Sequence, residues 1–148
     1  MGTLIKIICF LCFAINLYSA TPRDIRIVQM TPIVKCNSSA FCGSLSAIET
    51  RTKLFDSQIT SIVCDTLQNC DGISPSKARM LGLKTIIECN TNGKCGNRNH
   101  SYTDANMSGI QPVVPCSSVG NCSGVSPASI RMKGMKPIVY CSSNGQCP

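Results

Sequence analysis

The most constraining feature of this sequence is a pair of cysteines separated by five residues, which recurs along the chain. Of the 12 cysteines, Cys9 and Cys12 lie in an apolar N-terminal stretch, and the other ten form five such pairs. The pairs are Cys36 and Cys42, Cys64 and Cys70, Cys89 and Cys95, Cys116 and Cys122, and Cys141 and Cys147. Self-similarity at a fixed period is typical of repeat architectures, in which one unit cannot bury its apolar face alone. We therefore interpret 21–148 as five tandem repeats, with approximate bounds 21–43, 44–71, 72–96, 97–123 and 124–148.

The N-terminal segment predicts secretion. A single early charge, Lys6, precedes an apolar run over 7–15, and the small residues Ser19 and Ala20 follow. This order is typical of a signal peptide, which we place at 1–20, and the run is too short to span a bilayer. We expect an extracellular protein without stable membrane insertion, whose ten remaining cysteines are oxidised to disulfides.

The five residues between paired cysteines favour a disulfide within each repeat. The sequence Ser142-Ser143-Asn144-Gly145-Gln146 contains an Asn-Gly step, and Asn92-Gly93 occupies the same place in the third repeat. Asn-Gly favours tight turns, which bring the flanking cysteines face to face. A ladder of disulfides between neighbouring repeats is the alternative, because spacing alone does not fix connectivity.

Residues ahead of each pair also repeat. The segments 21–36, 74–89, 101–116 and 126–141 each span sixteen residues and align without a gap. Each ends in a branched stretch such as Pro32-Ile33-Val34, which predicts a strand. The second repeat keeps Ile62-Val63 but aligns as though one residue were missing, and its arginine, glycine and proline columns are absent.

The first half of each repeat is compatible with two structures. Ser126, Pro127 and Gly134 have the order of an N-cap, a first helical residue and a helix end. Ile25-Arg26-Ile27 alternates apolar and polar residues, which indicates a strand. We favour the strand and predict a mainly β, disulfide-rich repeat array that stacks as a solenoid. An α/β solenoid with a short helix and a strand per repeat is the alternative.

The charge balance provides a candidate binding surface. Without Lys6, 13 of the 14 Lys and Arg residues remain against 7 Asp and Glu. This excess keeps a protein soluble, and it can also attract sulfated or phosphorylated partners. The candidate anion-binding residues are Arg26, Arg79 and Arg131, which share one repeat column, with Lys84, Lys133 and Lys136 nearby. Because no aromatic residues alternate with these charges, we expect no nucleic-acid partner.

The sequence argues against an enzyme. The single histidine, His100, lies in an Asn-rich insertion without a nucleophile motif, and we interpret it as a solvated loop residue. Five residues between cysteines is a wider spacing than zinc sites use, and the acidic residues recur in no repeat column. We predict no catalytic residue, no metal and no cofactor.

Four sequons predict that the protein is glycosylated. They begin at Asn37, Asn99, Asn106 and Asn121. Asn37 and Asn121 lie between paired cysteines, where a closed loop hinders modification. We therefore expect Asn99 to be the principal site.

The loops between paired cysteines differ strongly in sequence, while the strand segments stay similar, as in scaffolds with variable contact loops. We predict a non-enzymatic extracellular interaction or effector-type binding scaffold, whose partner is an extracellular protein or an anionic glycan. One alternative is a protease inhibitor that presents a disulfide-closed loop, with Lys94 as the contact residue. Another is a cationic membrane-active or antimicrobial protein.

Overall fold

Each repeat folds into one short helix followed by one strand. The computed structural model describes residues 19–56 and 59–148, so 1–18 of the predicted signal peptide lie outside the described residues. The helices are α1 (Pro22–Ile27), α2 (Ala47–Leu54), α3 (Pro75–Met80), α4 (Tyr102–Met107) and α5 (Pro127–Met132). The barrel strands are β1 (Thr31–Lys35), β2 (Thr60–Cys64), β3 (Lys84–Glu88), β4 (Gln111–Pro115) and β5 (Lys136–Cys141). Four two-residue strands outside the barrel form two small antiparallel pairs, Phe41–Cys42 with Leu45–Ser46 and Lys94–Cys95 with His100–Ser101.

Capping residues explain why the first half of each repeat is helical. The N-caps are Thr21, Ser46, Ser74, Ser101 and Ser126, and each side chain accepts a hydrogen bond from the backbone N–H three residues on. The strand interpretation was therefore wrong. Apolar residues two apart on a helix point to nearly opposite sides: Ile25 is buried, whereas Ile27 is exposed. The alternation came from a six-residue helix that buries only one such position.

The strands form a closed parallel barrel, in which each strand pairs with the next along the chain and β5 pairs with β1. Each pairing is offset by two residues: Lys35, one residue before Cys36, faces Ser61, three residues before Cys64. Closing a barrel requires such a constant stagger. The predicted open solenoid is therefore corrected to a ring. Closure removes the unpaired strand edges that a five-repeat stack would leave at its ends.

A single layer of side chains fills the barrel. Ile33, Ile86, Val113 and Ile138, each three residues before a cysteine, form one buried cluster. The second repeat places Ser61 in this column, and Ser61 is also fully buried. This layer separates the two mouths of the barrel.

A second, larger core lies between the barrel and the helices, and it contains the disulfides. All five bonds join cysteines of the same repeat, which confirms the within-repeat pairing and excludes the ladder. The second cysteine of every pair is fully buried. Phe41 and Phe55 are both exposed, so cystine sulfur and aliphatic side chains replace aromatic bulk in the core.

The ring is also closed by a backbone ladder. Ile73 and Val125, each just before an N-cap, pair with Cys70 and Cys122. Ala20 precedes the N-cap Thr21 and pairs in the same way with Cys147, through hydrogen bonds of 3.1 and 2.8 Å. The last repeat therefore contacts the first as neighbouring repeats contact one another.

The second repeat differs from the sequence alignment. Its N-cap is Ser46, and its helix has eight residues where the others have six. Arg51 stands five residues after this N-cap, the same separation as between Ser74 and Arg79. The arginine column therefore continues through the second repeat, and a longer helix, not a deletion, displaced it from the alignment.

Candidate interaction surfaces at the two ends of the barrel

The carboxyl ends of the strands define the carboxyl mouth. Its inward-facing residues, each directly before a cysteine, are Lys35, Val63, Glu88, Pro115 and Tyr140. This column mixes both charges, an aromatic ring and aliphatic groups, whereas the interior layer two residues earlier is almost uniformly aliphatic. In parallel barrels surrounded by helices, functional groups cluster at this end because the loops that follow the strands converge there.

One hydrogen bond ties the third and fifth strands together across the carboxyl mouth. The Tyr140 hydroxyl donates to Glu88 Oε1 at 2.5 Å. Burial, and then the hydrogen bond to Glu88, raise the pKa of Tyr140 above its ordinary value. The mouth therefore contains an internally paired carboxylate.

The loops between paired cysteines share one backbone structure. The residue after the first cysteine donates to the carbonyl of the residue before the second, at 2.8 or 2.9 Å in all five loops. These pairs are Asn37 with Phe41, Asp65 with Asn69, Asn90 with Lys94, Ser117 with Asn121, and Ser142 with Gln146. Different side chains are thus displayed on the same frame at five places around the ring.

Two cavities lie among the loops of the first three repeats. One of about 360 Å³ is lined by residues that include Lys35, Phe41, Asp65 and Asp71. The other, of about 420 Å³, also reaches Asp65 and extends to Glu88. Their walls carry carboxylates, an ammonium group and an aromatic ring together, which suits a polar partner with mixed charge.

The opposite end of the barrel, the amino mouth, is cationic. Lys84, Gln111 and Lys136 are the first residues of three consecutive strands. A cavity of about 330 Å³ at its rim is lined by Lys84 and Gln111 together with Arg79 and Asn106. Burial, and then the nearby charge of Lys136, lower the pKa of Lys84.

The residues of the arginine column make contacts between repeats, here called the arginine clamps. Arg51 donates to the Gly82 carbonyl at 3.1 Å, and Arg79 donates to the Gly109 carbonyl at 3.2 Å. Arg131 donates to the Gln29 carbonyl and to its side chain, at 2.6 and 2.8 Å.

Arg26 makes the corresponding contact between the first two repeats through an ion pair with Asp56. The fourth repeat has Asn106 in the arginine column, so the contact with the fifth lacks a clamp. Each clamp points to the turn after the next helix. These contacts give the column a structural role, and its predicted binding of anions stays a prediction.

Of the three predicted lysines, Lys84 and Lys136 come together, and Lys133 does not join them. Lys133 Nζ donates to the Thr91 carbonyl in the third cysteine loop, at 2.6 Å. Lys53 makes a similar contact with Asn144 in the fifth loop, at 2.9 Å. These two lysines fasten helix ends to loops.

The predicted sequon asparagines are all exposed. The Asn37 side-chain carbonyl accepts from Phe41 N inside its loop at 3.0 Å, and that of Asn121 accepts from Gly124 N, just after its loop, at 2.7 Å. Asn99 lies in a turn ahead of α4, and Asn106 lies on α4 itself. Their glycosylation stays a prediction, with Asn99 the most accessible by loop position.

His100 is not the solvated loop residue that was expected. It pairs with Cys95 in a short antiparallel ladder, and its Nε2 is buried without a hydrogen-bond partner in the structure. Within the described ranges, no three His, Cys, Asp or Glu side chains approach one another as metal ligands would. Across those same residues, no helix has the length and apolarity needed to cross a membrane.

Sequence reasoning missed an exposed apolar column at the helix ends. Ile27, Met80, Met107 and Met132 each close a helix, six residues after the N-cap, and are 71 to 84% exposed. The repeat alignment contains this column, but solvent exposure becomes visible only once the helix and its buried face are known.

No protein-family model matches the chain, and no curated protein or solved structure is detectably similar to it. The interpretation of both ends therefore depends on their geometry and chemistry.

Proposed function

We propose that this chain is a secreted, non-enzymatic binding scaffold that contacts an extracellular partner with its cysteine loops and carboxyl mouth. One observation carries the proposal: five loops with the same backbone hydrogen bonds display different side chains. The five disulfides fit an extracellular protein. A rigid frame lowers the entropy lost on binding, because its loops are already ordered.

The division of labour within each repeat supports this proposal. The N-caps, the disulfides, the clamps and the interior aliphatic layer all have structural roles. In four loops the side chain of the first residue also supports the fold, because it accepts the backbone N–H of the last residue. Phe41 instead places a half-exposed ring beside the cavity that contains Asp65 and Asp71. Exposed aromatic groups surrounded by polar residues are typical of binding surfaces.

The mixed charge of the carboxyl end favours an extracellular protein over an anionic glycan as the partner there. Asp65, Asp71 and Glu88 would repel sulfate groups, whereas a protein can present both signs of charge.

The protease-inhibitor alternative has weaker support. Lys94 donates its backbone N–H to Asn90 Oδ1 at 3.1 Å, and its carbonyl accepts from Asn90 N at 2.9 Å. Its backbone polar groups are therefore engaged inside the loop, whereas a strand added to a protease cleft pairs through free backbone groups.

A loop exchange tests the proposal. Residues 37–41 are replaced by the sequence of 142–146, and both proteins are screened against an array of purified extracellular domains, with trypsin included. Since the two loops share their backbone hydrogen bonds, the variant should fold. The exchange also puts glycine at position 40, where Ala40 has a φ of 61° and Gly145, its counterpart, has one of 82°.

We expect at least one domain to bind the native protein and to lose about tenfold or more in affinity for the variant. An equivalent exchange between 117–121 and 142–146 is the matched control, because those loops do not line the two cavities. A native protein that binds no domain, or a partner indifferent to every loop exchange, would overturn the proposal. Stoichiometric inhibition of trypsin that is lost in Lys94→Gln would replace it with the inhibitor.

A further inference from the structure

The amino mouth concentrates hydrogen-bond donors from three consecutive repeats. Lys84, Gln111 and Lys136 have the same position at the start of β3, β4 and β5. Each lies two residues before a member of the buried interior layer, namely Ile86, Val113 and Ile138. Side chains two apart on a strand point to the same face, so these three converge towards the barrel axis.

The charges of this mouth are not compensated. Among the described residues, neither Lys84 nor Lys136 has a carboxylate within ion-pair distance. Six of the seven acidic residues lie in first helical turns, at a strand's carboxyl end or in the segments after strands; they are Asp24, Glu49, Asp65, Asp71, Glu88 and Asp104. The seventh, Asp56, pairs with Arg26.

Holding two ammonium groups together without a counter-charge costs folding free energy. Lys84 is half-buried, and the neighbouring Lys136 opposes its protonated form. If Lys84 and Lys136 only supported the fold, a neutral side chain would serve equally well, as Gln111 does in the same column. Groups that oppose stability are concentrated at functional sites.

The adjoining cavity adds donors of two more kinds. Arg79 is held in place at its rim because Nη1 donates to the Gly109 carbonyl and to Thr85 Oγ1, at 3.2 and 3.4 Å. Asn106 and Gln111, which both carry side-chain amides, line the same cavity. Guanidinium, ammonium and amide groups around one small volume are the donors that recognise tetrahedral oxyanions.

We propose that the amino mouth binds a sulfate or phosphate group of an extracellular ligand between Lys84, Gln111 and Lys136, with Arg79 and Asn106 at the rim. The oxyanion neutralises the two ammonium groups, and the amides direct their N–H groups to its oxygens. This site lies at the opposite end of the barrel from the loop surface. Its test is therefore independent of whether the proposed protein partner binds.

Calorimetric titration with three probes tests the site: inorganic sulfate, inorganic phosphate and a heparin-derived hexasaccharide. The double variant Lys84→Gln, Lys136→Gln removes both ammonium groups. The matched control is Arg23→Gln, Lys77→Gln, which removes the same net charge from the exposed first turns of α1 and α3. Since the first variant relieves repulsion, it should unfold at no lower temperature than the native protein.

We expect the Lys84 and Lys136 variant to bind the best probe at least about tenfold more weakly than the native protein, and the control to change by less than about twofold. Tighter binding of the hexasaccharide than of the inorganic ions identifies a sulfated glycan as the source, and preference for phosphate identifies a phosphorylated ligand. Equal losses in both variants would show attraction by net charge only and overturn the site, as would no measurable binding of any probe.

Discussion

The two ends of the barrel are held together by different kinds of chemical contact. At the carboxyl end, a disulfide closes every loop, Lys35 lies beside Asp65 at one cavity, and the Glu88 carboxylate accepts a hydrogen bond from Tyr140. At the amino end, arginine clamps fasten neighbouring repeats without covalent bonds. The lysines of the amino mouth have no acidic partner among the described residues.

At each end, the groups that stabilise the fold differ from the groups proposed to contact a ligand. The covalent end can carry variable loops because a disulfide and a shared backbone hydrogen bond hold each loop. The amino end carries like charges only because the clamps and the interior layer hold it together. If both proposed ligands bind, changes at one end should leave binding at the other end almost unaffected.

The largest expected effect comes from breaking the covalent end. Replacing Cys116 and Cys122 together by alanine should lower the free energy of unfolding by about 2 kcal/mol, because the unfolded chain regains the entropy of an open loop. The comparison is the guanidinium midpoint of the variant against that of the native protein, without reductant.

Reduction of all five bonds should abolish cooperative unfolding, since a core poor in aromatic groups cannot hold the small repeats together alone. A fully reduced protein with a native-like transition would show that the two ends are stabilised in the same way.

The next effect concerns the layer that separates the two ends. Ser61 is fully buried in it, and its hydroxyl has no hydrogen-bond partner in the structure. Ser61→Ala should raise the free energy of unfolding by about 1 kcal/mol, because the cost of burying an unpaired hydroxyl disappears. Chemical denaturation measures the change.

Thr85→Val is the matched control, because Thr85 is also buried but its hydroxyl receives a hydrogen bond from Arg79 at 3.4 Å. We expect this variant to lose stability by about 1 kcal/mol. If Ser61→Ala is destabilising instead, the Ser61 hydroxyl has a hydrogen-bond partner within the interior layer.

Much of this architecture could be predicted from the sequence, because cysteine spacing and strand composition are local signals. The disulfide pairing and the strand before each cysteine followed from the Asn-Gly turns and branched residues. Ser126 and Pro127 signal a helix start as well, but the short apolar–polar alternation at 25–27 indicates a strand by equally local evidence.

Closure into a ring could not be predicted, because it depends on the stagger between strands that are far apart in sequence. The strand tilt and the barrel diameter that permit closure both depend on this stagger. The role of the arginine column was hidden because Arg79 meets Gly109 only when the neighbouring repeats pack together. Arg51 was missed because the longer α2 shifts it in the alignment.

A smaller effect comes from the clamps at the amino end. Arg79→Gln should cost about 1 kcal/mol of unfolding free energy, because the Gly109 carbonyl loses a charged donor. Asn106→Arg should add roughly 0.5 kcal/mol by supplying the clamp that the fourth repeat lacks, with the turn at Gly134 as its target. Thermal unfolding of the two single variants and the double variant measures both. If Asn106→Arg destabilises while Arg79→Gln has no effect, the clamps do not hold the amino end.

The smallest expected effect is a difference between the two ends in how their contributions to folding stability depend on pH. Because the folded protein lowers the pKa of Lys84 below its ordinary 10.5, the unfolded chain binds more protons between the two pKa values. The contribution of Lys84 therefore opposes folding at neutral pH and fades as the pH rises towards 10.5. The contribution of Tyr140 has the opposite sign: its raised pKa favours the folded state, and this stabilisation is lost above its ordinary value of 10.0.

Lys84→Gln should unfold at a higher temperature than the native protein at pH 7, and this difference in unfolding temperature should narrow as the pH approaches 10. Tyr140→Phe should instead lose stability by a constant amount over that range. A difference that widens with pH would mean that Lys84 has a counter-charge in the folded protein, and the amino end would then be compensated like the carboxyl end.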